Sequence, residues 1–229
     1  MLTTITDDIH SIDEDFGFSG FQLGRRGTVV RLDGDSLLLH SPIPMTPELK
    51  AAVDALGTVR HIVAPNLFHH LWAPEWADAY PDAVVHAPEG IEKKQKRLRV
   101  GRTLDGTADP AWGGVLTPLL FEGMPAHRET NLWHEASGTL ISSDLALALP
   151  RELDHWLTRT YAKLNKFYGK PLGCSLVHKM WTKDKPAVRR SVDRILELAP
   201  KRLVLGHRNV IDGPDTTDAL REAWSWLKA

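Results

Sequence analysis

Three apolar, strand-like runs of this chain end directly on histidine or aspartate residues. Residues 60–64 lead into a loop that ends with His69 and His70, residues 139–141 lead into Ser142, Ser143 and Asp144, and residues 202–205 lead into Gly206 and His207. In open α/β sheets, functional groups collect just beyond the carboxyl ends of the strands. Neutral imidazole and carboxylate groups are also ordinary ligands of zinc and iron. The pattern therefore predicts an α/β protein with a metal site at a sheet edge.

The composition is that of an ordinary globular protein. The chain has 229 residues, of which 42% are hydrophobic and 25% are charged. That length can bury a substantial core, in one α/β domain or in two small ones. Because we find no repeat, no low-complexity tract and no linker, we predict a single domain over residues 1–229.

Charge balance and cysteine count exclude several classes of protein. The formal net charge is −1, so no overall field draws the chain to nucleic acid or to an anionic membrane, and we expect neither as a partner. We expect a small-molecule substrate instead. Cys174 is the only cysteine, which excludes an internal disulfide and the cysteine-rich zinc modules. No run of 18 apolar residues and no charged-then-apolar leader occurs, so a cytoplasmic location is the default expectation.

Local patterns predict the order of the elements. Asp33 and Gly34 separate two strand-like runs and predict a β-hairpin. Thr46 followed by Pro47 predicts the start of a helix, and an apolar strand follows it. Further strands are predicted at 130–134 and 139–141, and helical patterns cover 152–167, 175–181, 185–198 and 214–228. Two halves with strands and flanking helices predict an α/β (α+β) fold, a four-layer αββα sandwich.

A basic segment covers residues 93–99, within a predicted amphipathic helix at 89–99. Lysine and arginine side chains pair with phosphates, so an anion or nucleic-acid contact is one interpretation. The other is a solvated helix face. No aromatic residues are interleaved with the cations to stack on bases, so we favour the solvated face.

From residue 29 to residue 213 the chain resembles the metallo-β-lactamase-like fold superfamily. Four landmarks carry the resemblance: a hairpin ending at His40, a strand followed by the histidine-containing loop 65–71, the segment 123–127 that ends in His127 before two strands and Asp144, and a late strand running into His207. Within the superfamily the chain is most similar to a branch of unknown function with an altered Asn-x-x-His-His loop. The resemblance implies metals at the meeting edge of two sheets.

The loop departs from the superfamily's usual His-x-His-x-Asp-His pattern. Laid on that pattern, Pro65 and Leu67 take the leading histidine positions and offer no ligand, His69 takes the aspartate position and His70 the last histidine position. His127, Asp144 and His207 keep their expected identities. The resemblance therefore implies that one half of the usual two-metal site has lost two ligands, whereas the other half keeps three of four.

These departures imply a mononuclear metal-dependent hydrolase-like protein of unknown substrate, which would activate a metal-bound water. The ion would be zinc first, and iron or manganese second. Asp144 and His127 are the candidate catalytic residues, and Asn66 would orient the loop or bind substrate. The alternative is a degenerate, non-catalytic member of the fold that binds a ligand or partner, so whether the protein is an enzyme stays open. The candidate metal ligands are His69, His70, His127, Asp144 and His207.

Overall fold

The computed structural model describes residues 2–18, 20–149, 155–207 and 209–228. Its strands are β1 (Leu2–Thr4), β2 (Ile9–Glu14), β3 (Gly17–Phe18), β4 (Phe21–Gln22), β5 (Arg25–Arg31), β6 (Ser36–His40), β7 (Thr58–Val63), β8 (Val84–Ala87), β9 (Arg102–Thr103), β10 (Leu116–Leu120), β11 (Thr130–His134), β12 (Thr139–Ile141), β13 (Arg202–Val204) and β14 (Ile211–Asp212). They form a seven-stranded sheet in the order β1-β2-β5-β6-β7-β8-β9, a five-stranded sheet in the order β10-β11-β12-β13-β14, and the small pair β3-β4.

The described ranges contain six α-helices: α1 (Pro47–Asp54), α2 (Ala73–Ala79), α3 (Trp156–Leu164), α4 (Leu176–Trp181), α5 (Lys185–Glu197) and α6 (Thr216–Ala223). Short 3₁₀ turns lie at Ile91–Lys93, Pro110–Trp112, Glu135–Ser137 and Ser225–Lys228. None of these described helices is both long and apolar enough to cross a bilayer.

The apolar core is arranged in layers. Val63 of β7 packs with Leu132 and Val204 between the two sheets. Helices α1 and α2 cover the outer face of the larger sheet, where Trp76 packs against Ile62 and its neighbours. Helices α5 and α6 cover the smaller sheet through a separate apolar cluster. This arrangement is the four-layer αββα sandwich predicted from the sequence.

The early elements form as their local signals predict. Strands β5 and β6 pair antiparallel around the turn at Gly34, which has a φ of 57°. The hydroxyl of Thr46 accepts a hydrogen bond from the backbone N–H of Leu49 at 3.1 Å and caps α1. The hairpin and the first helix are therefore confirmed.

The predicted amphipathic helix over 89–99 is wrong. Only the 3₁₀ turn Ile91–Lys93 forms there, after Gly90 at a φ of 89°. A helix would place Lys93 three and four residues from Lys96 and Arg97, where like charges repel one another, and Glu89 and Glu92 are the only acidic residues in the segment. The segment is held instead by the burial of Ile91 and Leu98 and by Lys94 Nζ, which donates to the carbonyl of Leu67 at 3.1 Å.

Two predicted helices in the second half are shorter than expected. The helix predicted over 152–167 covers Trp156–Leu164, and residues 152–154 lie outside the described residues. The last one ends at Ala223 and continues as a 3₁₀ turn.

Parallel pairing brings several strand ends to one edge of the sandwich. Strands β6 and β7 run parallel, as do β12 and β13, so the residues that follow them emerge on the same side. Backbone hydrogen bonds then join the segments across the edge: Leu67 N–H donates to the carbonyl of His127 at 3.0 Å, and Gly206 N–H donates to that of Ser143 at 3.0 Å. This edge carries the candidate site.

Candidate metal centre

The loop after β7 is shaped by one side chain, that of Asn66. Its Oδ1 accepts hydrogen bonds from the backbone N–H groups of Phe68 and His69, both at 2.7 Å. An asparagine that bonds to the backbone ahead of it forms a local turn. These bonds identify Oδ1 as the acceptor, so the amide nitrogen Nδ2 must point the other way, into the site.

Two imidazoles meet one carboxylate oxygen at this edge. His69 Nε2 lies 3.3 Å from Asp144 Oδ1, and His207 Nε2 lies 3.2 Å from the same atom. Gly206 permits the approach, because a Cβ at that position would lie 2.7 Å from His69 Cε1. We call His69, Asp144 and His207 the first triad.

The outer nitrogens of both imidazoles are held in place. His207 Nδ1 donates to the carbonyl of Gly24 at 2.8 Å, and His69 Nδ1 is hydrogen-bonded to Ser41 Oγ at 2.8 Å. Since a carbonyl only accepts, the proton of a neutral His207 lies on Nδ1 and the lone pair on Nε2 faces Asp144. Such outer partners orient the ligating histidines of metal sites.

The first triad fits a divalent metal ion. Two ligands at about 2.1 Å from a tetrahedral zinc lie about 3.4 Å apart, close to the 3.2 and 3.3 Å between the imidazole nitrogens and Asp144 Oδ1. An ion between these atoms would satisfy a histidine lone pair and a carboxylate oxygen that otherwise face each other. The donor set and its spacing are therefore those of a metal centre with an open position.

A second group of potential ligands shares Asp144. It consists of His127, Glu129 and Asp144, which we call the second triad. His127 Nε2 lies 3.3 Å from Glu129 Oε2 and 3.4 Å from Asp144 Oδ2. Glu129 is only 1% exposed, and its Oε1 accepts hydrogen bonds from the hydroxyl of Ser142 and from both the backbone N–H and the hydroxyl of Ser143.

The amide nitrogen of Asn66 occupies the centre of the second triad. It lies 2.5 Å from Glu129 Oε2, 2.9 Å from Asp144 Oδ2, 3.0 Å from His127 Nε2 and 3.1 Å from Ser143 Oγ. An amide group carries two protons, so these acceptors compete for a donor that is already in place. A cation could take this position only if the side chain of Asn66 moved away.

Electrostatics reinforce the first triad. Burial opposes the charged form of Asp144, but the charge of His69 and the imidazoles of His127, His207 and His69 around the carboxyl hold its pKa well below its usual value. Burial likewise opposes a charged His69, but the carboxylates of Asp144 and Glu129 outweigh it and raise the pKa of His69. Both pKa shifts favour a charged His69 beside a charged Asp144 in the metal-free triad, and binding of a cation at a protonated His69 would displace its proton.

Aromatic rings cover the second triad. The ring of Trp181 stacks on that of His127 with centroids 4.5 Å apart, and Phe68 stacks on Trp181 at 4.9 Å. Leu71 and Met180 are exposed large apolar side chains, at 53% and 70%. The protein thus presents apolar surface on the loop after β7 and on α4.

The structure brings four of the five sequence-predicted ligands together and leaves out His70. None of the three-residue ligand groups formed by the described residues includes His70. Its side chain is buried with Nδ1 unpartnered, and burial and Lys94 lower its pKa. Sequence reasoning missed Glu129, although its position two residues after His127 was a usable signal.

Comparisons with known proteins show the fold of this chain. A family model described as a domain of unknown function, DUF4336, matches residues 6–91, which include the loop after β7. No curated protein matches the chain. Among solved structures, a metallo-β-lactamase from Pontibacter korlensis is 13% identical with a TM-score of 0.69, and 100% of this chain and 98% of that one are covered.

Two further structures carry metals in their descriptions. The metallo-β-lactamase FIM-1 from Pseudomonas aeruginosa in its mono-zinc form is 11% identical with a TM-score of 0.63, covering 100% of this chain and 96% of that one. A flavo di-iron protein mutant from Thermotoga maritima is 15% identical with a TM-score of 0.68, covering 100% of this chain and 62% of that one. Fold and site together define a two-sheet α/β protein with candidate metal-binding triads at the sheet edge. The protein has a metallo-β-lactamase-like fold.

Proposed function

We propose that this protein is a mononuclear metal-dependent hydrolase whose ion is held by the first triad. The observation that carries the proposal is the convergence of His69 Nε2 and His207 Nε2 on Asp144 Oδ1, at 3.3 and 3.2 Å. The hydrogen bond from His207 Nδ1 to the carbonyl of Gly24 supports it, because that bond turns the ligating nitrogen inward. His70 is not in the proposed ligand set.

The proposal of a single ion rests on Asn66. Its amide donates into the second triad, where a second metal would otherwise have His127, Glu129 and Asp144 as ligands. A neutral donor in that place hydrogen-bonds the carboxylates of Glu129 and Asp144 without a second cation. The two-metal clamp mechanism therefore does not belong to the proposed function.

A bound divalent metal would supply a Lewis acid and would lower the pKa of a coordinated water to about 7. The chain's own residues supply the rest. Ser41 and Gly24 orient His69 and His207. Asp144 contributes its Oδ1 to the first triad and keeps its Oδ2 hydrogen-bonded to Asn66. We assign proton transfer to His127, whose Nε2 lies 3.4 Å from Asp144 Oδ2. Zinc is the first expectation for the metal, and iron or manganese the second.

One observation favours a second candidate, a non-catalytic binding protein that keeps the fold. The rings of Trp181 and Phe68 cover His127, which is 1% exposed. A substrate would have to displace these rings to reach His127, whereas a protein that only binds a ligand or partner has no such requirement.

Metal analysis tests the proposal. We expect the protein, purified without added metal, to contain zinc, iron or manganese that is lost in His207→Gln and Asp144→Asn. His134→Gln is the matched control, since His134 is also buried but lies outside both triads. Urea unfolding of each variant shows that the loss of metal is not a loss of fold. Metal-free wild-type protein that binds no added metal would overturn the proposal.

A panel of generic ester, thioester, phosphodiester and lactam substrates then separates the two candidates. We expect hydrolysis of at least one class, with turnover lost in Asp144→Asn. A metal-loaded protein that turns over none of them supports the binding protein instead.

A further inference from the structure

A second group of histidines lies away from the triads, between the two sheets. His61 of β7 and His86 of β8 both contact Trp112, a member of the apolar cluster that joins the sheets. Strands β7 and β8 pair in parallel, with Val63 opposite His86. His61 and Val63 share a face of β7 because side chains alternate along a strand, so both imidazoles point into the same layer. Asp109 reaches them from the turn before Pro110–Trp112.

The potential ligand atoms of these three residues already converge. His61 Nδ1 lies 3.0 Å from His86 Nε2, which lies 3.8 Å from Asp109 Oδ2, and each residue offers an atom within 4.8 Å of the others. Two atoms bound to one zinc at about 2.1 Å are at most about 4.2 Å apart. The two measured separations fall below that limit.

We propose that His61, His86 and Asp109, which we call the edge cluster, form a separate binding site for one transition-metal dication such as zinc. Two imidazoles and a carboxylate are a common donor set for such ions. The three residues are 4%, 2% and 7% exposed, so an ion there would bind within the fold and stabilise it. The proposal does not depend on the first triad or on hydrolysis.

The surroundings give the ion access and hold its carboxylate ligand. A cavity of about 220 Å³ is lined by His86, Asp109, Arg102 and Asp105, among others, and reaches the edge cluster from outside. Asp109 Oδ1 accepts a hydrogen bond from Ala111 N–H at 2.9 Å, which fixes the carboxylate and leaves Oδ2 toward His86. Burial and the neighbouring imidazole lower the pKa of His86 to about 4, so this residue is neutral near pH 7.

Arg102 opposes a cation in this place. Its Nε lies 3.0 Å from Asp109 Oδ2, and the guanidinium side chain is 53% exposed. In the absence of metal, Arg102 pairs with Asp109 while His61 and His86 pair with each other, so the edge cluster is satisfied without an ion. We therefore expect weaker binding than at the first triad, with the exposed arginine turning outward as the ion enters.

Cobalt titration of metal-free protein tests the edge cluster independently of the first triad. In Asp144→Asn protein we expect one remaining equivalent of Co²⁺ with visible absorption bands, competed away by Zn²⁺. Adding His86→Gln to this background should remove that equivalent, and so should Asp109→Asn, which keeps the acceptor for Ala111 N–H. Adding His134→Gln instead should leave it unchanged.

Stability provides a second measurement if a histidine variant folds poorly. Zinc should raise the Tm of Asp144→Asn protein but not that of Asp144→Asn/Asp109→Asn protein. Folded Asp144→Asn protein that binds no Co²⁺ would overturn the edge cluster and leave the first triad untouched. Conversely, His207→Gln protein should lose the metal of the first triad and keep the one equivalent bound at the edge cluster, which would show that the two sites bind independently.

Discussion

The first and second triads share Asp144 and nearly the same residue types, yet they are completed in different ways. Among the residues that the structure describes, only His69 and His207 reach Asp144 Oδ1, and their outer nitrogens are held by Ser41 and Gly24. In the second triad the amide of Asn66 lies among the acceptors. The comparison shows that ligand-type residues at ligand spacing do not by themselves indicate a metal site, because a buried internal donor such as the amide of Asn66 can take the place of the ion.

The largest effect on stability should come from removing the carboxylate of Glu129 in the second triad. Glu129→Ala should destabilise the metal-free protein by about 3–5 kcal/mol, because it leaves buried donors from Ser143, Ser142 and Asn66 without their acceptor. Urea unfolding measures this loss. The exposed Glu135→Gln is the control and should change stability by less than about 0.5 kcal/mol. A loss below about 1 kcal/mol in Glu129→Ala would show that the network is not structural.

Asn66→Asp should convert the second triad into a metal site. The new carboxylate keeps an acceptor for the N–H groups of Phe68 and His69. Its second oxygen is repelled by the carboxylates of Glu129 and Asp144, so it leaves the centre of the second triad and makes room there for a cation. We expect one more equivalent of bound zinc than in wild type, and metal-free protein less stable by about 1–3 kcal/mol.

Metal titration after chelation measures the gain in Asn66→Asp. Asn131→Asp is the matched control, because Asn131 is also fully buried but belongs to neither triad. Equal zinc content in Asn66→Asp and wild type would mean that the amide does not decide how many ions the site holds.

Ser41→Ala should weaken metal binding at the first triad about tenfold, or about 1.4 kcal/mol. The hydroxyl of Ser41 holds His69 Nδ1 at 2.8 Å, and without it the imidazole can turn away from Asp144. Competition with a chelator of known affinity measures the change. Ser137→Ala removes the comparable contact to His134 Nδ1, at 2.7 Å and outside the triads, and should leave metal affinity unchanged.

The smallest effect concerns the pH dependence of metal-free protein. Because the pKa of His69 is raised in the folded state, its contribution to stability is present below the unfolded value of 6.5 and is lost as the pH rises through the folded pKa. His69→Gln should therefore destabilise the protein more at pH 6 than at pH 9, which urea unfolding at the two pH values measures.

His134 offers a control of opposite sign. Burial lowers its pKa, so its neutral form contributes stability above pH 6.5 that is lost as the pH falls toward the folded pKa. His134→Gln should flatten the loss of stability on acidification, which urea unfolding at pH 7 and pH 5 measures. The same pH dependence for both variants would contradict the assigned shift of His69.

Local signals were sufficient for much of the fold. The strands predicted at 130–134 and 139–141 occur with those bounds. All of their residues are buried, and their apolar and β-branched side chains favour a strand in the sequence alone. The helix predicted over 89–99 was wrong because local signals were not sufficient there. The conformation of this segment depends on where Ile91 and Leu98 find apolar neighbours, and that is decided by distant parts of the chain.

The sequence predicted which residue types form the candidate site and that they follow the ends of strands. Asp144 and His207 follow β12 and β13, whose parallel pairing brings them together. The sequence could not show whether His69 or His70 faces Asp144. Adjacent side chains point in different directions, and it is the turn made by Asn66 that directs His69 toward Asp144. The role of Asn66 itself follows from which of its two amide atoms the backbone binds.

The sequence by itself determined an α/β sandwich with imidazoles and a carboxylate at the ends of its strands, because alternation, capping and turn residues act over a few positions. Only the tertiary structure decided which nitrogen faces which oxygen, that Glu129 and Asn66 complete the second triad, and that His61 and His86 meet Asp109. Those relations depend on distances of a few ångströms between segments far apart in the chain, which close only when both sheets pack.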